Sequence, residues 1–260
     1  FDLYAGLRPV YLYEGVTSVL AGMHPGDIDI VVIRENTEGE YSNVGGIVGN
    51  SDQTLAVQSS VFTGKGIRRI IKYAFEYAKS HSRKKVTSLT KSNAQRYGMV
   101  LWDRIFREVS SEYSDIMHES KLIDAACMDA VRNPKGYDVI VASNLFADIL
   151  SDLTAGITGG MGLAPGGSFN PGNKSVPGLF DPVHGSAPDI AGKGIANPIA
   201  AVLTGKIMLD FLGESQAAEI LFKAVKQQLA EKKIRTRDLG GNAGTCDVGN
   251  DIVRILKAVK

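Results

Sequence analysis

Three short apolar runs, each followed by a segment with helical spacing, constrain this chain more than any other feature. Ile28-Asp29-Ile30-Val31-Val32-Ile33, Val86-Thr87-Ser88-Leu89 and Asp138-Val139-Ile140-Val141-Ala142 read as buried strands. After the first, residues 64–81 carry Ile67, Ile70, Ile71, Ala74, Phe75 and Ala78 at helical spacing, with Arg68, Arg69, Lys72 and Lys79 on the other face. After the second, a helix over residues 94–113 places Leu101, Ile105 and Val109 on one side. After the third, a helix is expected to start near Ala147. This alternation predicts an α/β fold with a largely parallel core.

Other segments differ in character. Residues 41–62 hold two β-prone runs around Gly49-Asn50-Ser51-Asp52 and predict a hairpin, either a subunit contact or an ordinary edge hairpin. Residues 156–177 are rich in Gly and Pro, and a change of domain is placed there. Beyond it, Asn197 as N-cap and Pro198 at the first helical position open a helix over 199–212. That helix is apolar nearly all round and is expected to be deeply buried. Two amphipathic helices follow, near 217–232 and 249–259. The first methionine is Met23, and Asp2-Leu3-Tyr4 is patterned like a protein interior, so a piece is expected to be missing before Phe1.

Composition excludes several classes. Lys plus Arg is 29 against 28 for Asp plus Glu, which gives no electrostatic case for nucleic acid or an anionic membrane. Cys127 and Cys246 form no CxxC pair, so a disulfide framework is not expected and a reducing, cytoplasmic setting is. No apolar run approaches the roughly 20 residues that cross a bilayer. GxGxxG, the P-loop, HExxH and GxSxG are all absent. Asn173-Lys174-Ser175 fits a glycosylation sequon, a three-residue match of the kind chance produces.

The chemistry-bearing residues cluster just past the strands, where open α/β sheets bind ligands. Asp148 and Asp152 are four apart and share a helix face. They suit a hard divalent cation such as Mg²⁺ or Mn²⁺; alternatively, Asp148 caps the helix and Asp152 is solvated. Asp124, within Leu122-Ile123-Asp124-Ala125-Ala126, needs a partner if buried and is a candidate third ligand. Arg8 and Arg34 emerge from apolar runs and could grip carboxylates, or be surface charges. Lys91, in Thr90-Lys91-Ser92-Asn93, becomes a candidate base if crowded by cations.

Five strings together resemble the metal-dependent decarboxylating β-hydroxyacid dehydrogenases, the isocitrate/isopropylmalate dehydrogenase family. They are Asp2 to Pro9, Arg34 to Tyr41, Thr90 to Asn93, Asn144 to Asp152, and His184-Gly185-Ser186-Ala187-Pro188-Asp189-Ile190-Ala191-Gly192-Lys193. The resemblance implies an isopropylmalate dehydrogenase-like two-domain α/β fold with central mixed sheets, its N-terminal portion missing here. Residues 1–158 would form the central substrate- and metal-binding and dimerisation domain, and 159–260 the C-terminal half of the NAD-binding domain.

The resemblance also implies roles. Arg8 and Arg34 would hold substrate carboxylates, and Asp124, Asp148 and Asp152 would bind Mg²⁺ or Mn²⁺. Lys91 would be the base and Tyr41 the acid. His184, Gly185, Ser186, Ala187, Asp189, Ile190 and Asn197 would hold the cofactor. Asp189 points to NAD, because a carboxylate repels the 2′-phosphate of NADP. A homodimer with shared sites is implied, Lys91 and Asp124 reaching into the partner's site and the hairpin joining an intersubunit sheet. The strings lean to the tartrate/D-malate branch and hence to a small 2-hydroxy dicarboxylic acid. Isopropylmalate or isocitrate dehydrogenase, a non-catalytic regulatory subunit, and a decarboxylase without a redox step are the alternatives.

Overall fold

The structure, a computed structural model, describes residues 1–173 and 175–258. Lys174 of the sequon and Val259, the expected end of the last helix, lie outside the described residues.

The apolar runs do form the centre of a sheet. In chain order the strands are β1 (Ala5–Tyr11), β2 (Asp29–Glu35), β3 (Gly39–Val48), β4 (Leu55–Val61), β5 (Lys85–Thr90), β6 (Met117–Leu122), β7 (Val139–Ala142), β8 (Gly167–Phe169) and β9 (Leu179–Phe180). The helices are α1 (Gly64–Ser80), α2 (Gly98–Ser110), α3 (Ile123–Arg132), α4 (Asn144–Ile157), α5 (Ile199–Phe211), α6 (Ser215–Glu231) and α7 (Thr245–Ala258). A seven-stranded sheet runs β6-β5-β7-β2-β1-β8-β9. β6, β5, β7 and β2 are mutually parallel, whereas β1, β8 and β9 join antiparallel, so the sheet is mixed. β3 and β4 form the expected hairpin as a separate ribbon.

Burial explains the order. All four residues of β7 are inaccessible, as in a strand covered on both faces. α1 lays its Ile67, Ile70, Ile71, Ala74, Phe75 and Ala78 stripe into this core. Thr63 caps it, its hydroxyl accepting from the Gly66 amide at 3.0 Å. The buried Trp102 of α2 donates from Nε1 to the Ser88 hydroxyl of β5 at 2.8 Å, which removes the penalty of an orphaned indole N–H. A second apolar cluster joins α5, α6 and α7 through Leu203, Val225, Leu229, Val248, Ile252 and Ile255, with Tyr13 and Leu163.

Several boundaries move. The helix expected near Ala147 begins at Asn144, and the one expected from residue 94 begins at Gly98, after a turn. The 199–212 segment is not buried all round: Ile199, Ala200, Leu203, Thr204 and Ile207 are buried while Met208 and Leu212 are exposed. The Asn197 side-chain oxygen does accept from the Ile199 amide at 3.0 Å, with Pro198 just outside the helix. No described helix is long and apolar enough to cross a membrane.

The centre of β7 carries the tightest demand on shape. Ile140→Ala should cost about 2–5 kcal/mol through lost burial and an uncollapsed cavity. The check is denaturant unfolding, with a lowered midpoint and an unchanged slope.

Candidate active site

The carboxylates and arginines meet where the parallel and antiparallel halves of the sheet join. β1 pairs with β2 so that Gly6 faces Arg34 and Arg8 faces Val32. A Cβ at Gly6 would stand 3.1 Å from the Arg34 Cβ and 2.9 Å from the Asn36 side-chain oxygen, so glycine opens the space these side chains use. α4 leaves the end of β7 and crosses above both strands. Its Asp148 lies in the second turn, which excludes the helix-cap reading.

One carboxylate organises the group. Asp148 Oδ1 accepts from Arg34 at 2.6 Å and from Arg8 at 3.0 Å. Arg8 also donates to the Ser151 hydroxyl at 2.6 Å and stands 4.0 Å from Asp152. Arg34 donates twice to the Asn144 side-chain oxygen, at 2.6 and 3.1 Å. The Tyr41 ring, on the exposed first part of β3, lies under the Arg34 guanidinium at 5.5 Å, and its hydroxyl reaches Asp148 Oδ2 at 3.5 Å. Burial, then the neighbouring Arg8 charge, lowers the proton affinity of Arg34. Burial, then the Asp148 charge, pushes the Asp152 carboxyl above the usual carboxylate range.

Lys91 and Asp124 form a second group. Lys91 follows β5 and donates to Asp124 Oδ1 at 2.6 Å. Asp124 sits in the first turn of α3 and is exposed rather than buried, so its partner is a neighbour at the surface. The Lys91 hydrogen bond holds the Asp124 carboxyl below its ordinary range. Among the described residues no hydrogen bond or ion pair joins this group to the first, and no three His, Cys, Asp or Glu side chains gather to hold a metal ion. The expected three-carboxylate cluster is therefore not assembled within one chain.

The 181–197 loop borders the first group. A cavity of about 120 Å³ is lined by Arg8, Arg34, Asn36, Ser168, Asp181 and His184 among others, which sets the start of the loop against the arginines. His184, Gly185, Ser186, Ala187 and Asp189 are exposed, and Ile190 is half-buried. Ala187 has a φ of 43°, a left-handed conformation uncommon for a residue with a side chain. The far end is tied down: Asn197 donates to Asp238 at 2.9 Å, and Thr245 donates its hydroxyl to the Ala196 carbonyl at 2.6 Å.

Sequence reasoning did not single out Asn144, Ser151, Asn36 or Asp238. Asn144 was findable, because it lies one helical turn before Asp148 on the same face. Asp238 was not, because its contact spans 41 positions.

The family model described as isocitrate/isopropylmalate dehydrogenase matches residues 1–252. D-malate dehydrogenase (decarboxylating) of Escherichia coli (strain K12) is 47% identical over 98% of this chain and 72% of its own length. Tartrate dehydrogenase/decarboxylase of Pseudomonas putida is 45% identical over 96% of the chain and 70% of its own. The crystal structure of isocitrate dehydrogenase from Methylococcus capsulatus superposes with a TM-score of 0.92 at 39% identity, over 98% of this chain and 74% of that one.

The shared anion has a measurable consequence. Asp148→Asn leaves two mostly buried guanidiniums without it and should cost about 1–3 kcal/mol of stability. A small dicarboxylate such as malonate should stabilise the variant more than the parent, which thermal unfolding with and without malonate will read.

Proposed function

The chain belongs to the isocitrate/isopropylmalate dehydrogenase family, and from that premise we propose that it catalyses the NAD- and Mg²⁺- or Mn²⁺-dependent oxidation and decarboxylation of a small 2-hydroxy dicarboxylic acid, D-malate or tartrate. The observation that carries this reading is the convergence of Arg8, Arg34, Tyr41 and Asp148 beside the 181–197 loop. Two guanidiniums with a planar fork each suit a substrate bearing two carboxylates. The names of the similar proteins favour D-malate and tartrate over larger members of the class.

A hard cation fits the residues present. Asp148 and Asp152 project from one face of α4, two carboxylates one helical turn apart, and oxygen ligands at this spacing suit a hard cation. Asp148, Asp152 and the partner's Asp124 would hold it, and it would supply Lewis-acid stabilisation of the substrate oxygen. Arg8 and Arg34 bind and orient the carboxylates. Lys91 of the second copy, released from Asp124 and having lost its extra proton, would take the hydroxyl proton as hydride leaves the substrate carbon. Tyr41 donates its proton to the carbon that CO₂ has left.

NAD would lie along the loop, with His184, Gly185, Ser186 and Ala187 against it, Asp189 accepting from ribose hydroxyls, Ile190 packed beneath and Asn197 at the adenine. We take residues 1–158 as the domain that binds substrate and metal and dimerises, and 159–260 as part of the NAD-binding domain. The apolar cluster of α5, α6 and α7 supports a C-terminal body, while β8 and β9 continue the sheet of 1–158 across that boundary.

A homodimer accounts for the two separated groups. The hairpin exposes Val44, Ile47, Val48, Leu55 and Val57, too much apolar surface for a free ribbon. α3 and α4, which pack together, expose Met128, Val131 and Ile149 next to the carboxylates. Burying both against a second copy would bring one chain's Lys91 and Asp124 toward the other's Asp148.

NADH formation with Mn²⁺ is the test. D-malate or tartrate should be oxidised, chelation should stop turnover, and Lys91→Ala should lower it by about 10²–10⁴-fold. NADP should be a much poorer acceptor. Turnover of isopropylmalate with none of D-malate or tartrate would overturn the substrate choice, and equal efficiency with NADP would overturn the role of Asp189.

A further inference from the structure

Tyr41 lies seven positions after Arg34, and the segment between them holds three carboxylates with no part in the chemistry above, Glu35, Glu38 and Glu40, of which the first two are fixed by hydrogen bonds. The Glu35 side chain is 4% exposed. Its Oε1 accepts from the Thr37 hydroxyl at 2.6 Å, and its Oε2 accepts from the Thr37 and Glu38 amides at 2.8 and 2.7 Å. Arg69 lies 3.9 Å from Oε1 and donates to the Thr37 hydroxyl at 2.8 Å. Glu38 turns the other way. Its two oxygens accept from the Thr63 amide at 2.8 Å and the Thr63 hydroxyl at 2.6 Å.

That places Glu38 at the N-terminus of α1, where Thr63 is the cap and a negative charge is favoured. The approach is close: a Cβ on Gly66 would press into the Glu38 carboxylate. The chain then passes through Gly39, whose φ of 82° favours glycine, and two residues later reaches Tyr41. The turn is thus fastened to itself by Glu35 and to the main core by Glu38. The rest of the hairpin is mostly exposed.

Burying a carboxylate is costly, and burial raises the Glu35 proton affinity against the pull of its hydrogen bonds. An uncharged turn would connect β2 to a hairpin without that cost. What two fixed carboxylates add is a constant geometry between the strand that ends in Arg34 and the ribbon that carries Tyr41.

We propose that Glu35 and Glu38 are positioning residues for the proton-donating tyrosine, holding residues 35–41 so that the Tyr41 hydroxyl keeps its place beside Arg34 and Asp148. The proposal rests on the function assigned above. Oxidation of D-malate at its hydroxyl-bearing carbon gives the keto acid oxaloacetate, with the hydride passed to NAD and the hydroxyl proton to Lys91. Loss of CO₂ leaves the bonding electron pair on carbon, and the Tyr41 proton completes pyruvate. Until that proton arrives the enolate can recombine with CO₂, so a displaced Tyr41 leaves the oxidation intact, lets decarboxylation reverse, and oxaloacetate escapes.

The experiment compares Glu35→Gln, Glu38→Gln and Tyr41→Phe with the unaltered protein in Mn²⁺, NAD and D-malate. NADH, CO₂ and oxaloacetate are measured together with amide exchange over residues 37–41. Both glutamine variants, like Tyr41→Phe, should release NADH in excess of CO₂, with KM for D-malate within about twofold of the parent. Exchange at Thr37 and Glu38 should quicken by at least about tenfold in Glu35→Gln. Glu38→Gln, whose carboxylate is nearer the surface, serves if Glu35→Gln does not fold. One CO₂ per NADH in the glutamine variants, or unchanged exchange, overturns the proposal. An unaltered protein that forms no NADH while Glu35→Gln still exchanges faster counts against the assigned function and supports the fastening.

Discussion

The Asp148 carboxylate, shared between the Arg8 and Arg34 guanidiniums, is the interaction on which the arrangement depends. It ties three elements of different origin: β1, which runs antiparallel, β2, which begins the parallel half, and α4, which follows β7. Two cations at this junction would repel in a partly buried setting if no anion stood between them. Asp148 relieves that, and in doing so sets the spacing of the two groups proposed to grip a dicarboxylate. The close passage at Gly6 and the support of Asn144 and Ser151 follow from the same demand.

Balance of charge also explains why the remaining chemistry stands apart. Lys91 is neutralised by Asp124, so each group is close to self-compensated within its own chain. Both lie near side chains that water would not normally cover, Met128 and Ile149 among them. In the proposed dimer, association would join two nearly neutral half-sites rather than two bare clusters of like charge.

What could be read in the amino-acid sequence follows the strength of each physical signal. β2 and β7 were legible because central strands are buried on both faces and read as nearly continuous apolar runs, and β5 because Val86 and Leu89 flank the small Thr87 and Ser88. β6 was not: Met117-His118-Glu119-Ser120-Lys121-Leu122 is an edge strand whose polar side chains meet solvent and Lys85. β8 and β9 are three and two residues long and carry no period. Asp148 and Asp152 stood out by helical spacing, whereas the exposure of Asp124 depended on which way α3 starts. Glu35 and Glu38 looked like two acids in a polar stretch, because nothing local distinguishes a buried carboxylate that its own turn satisfies.

The central claim is that one chain supplies Asp148 and Arg34 while a second supplies Lys91 to the same site, and subunit mixing tests it most directly. Lys91→Ala and Asp148→Asn are each prepared alone, mixed in equal amounts, dissociated and reassociated. Half of the dimers would then pair one of each, with one intact site, so D-malate-dependent NADH formation should recover to about a quarter of the unaltered protein's rate. A mixture no more active than the two variants separately would contradict the account.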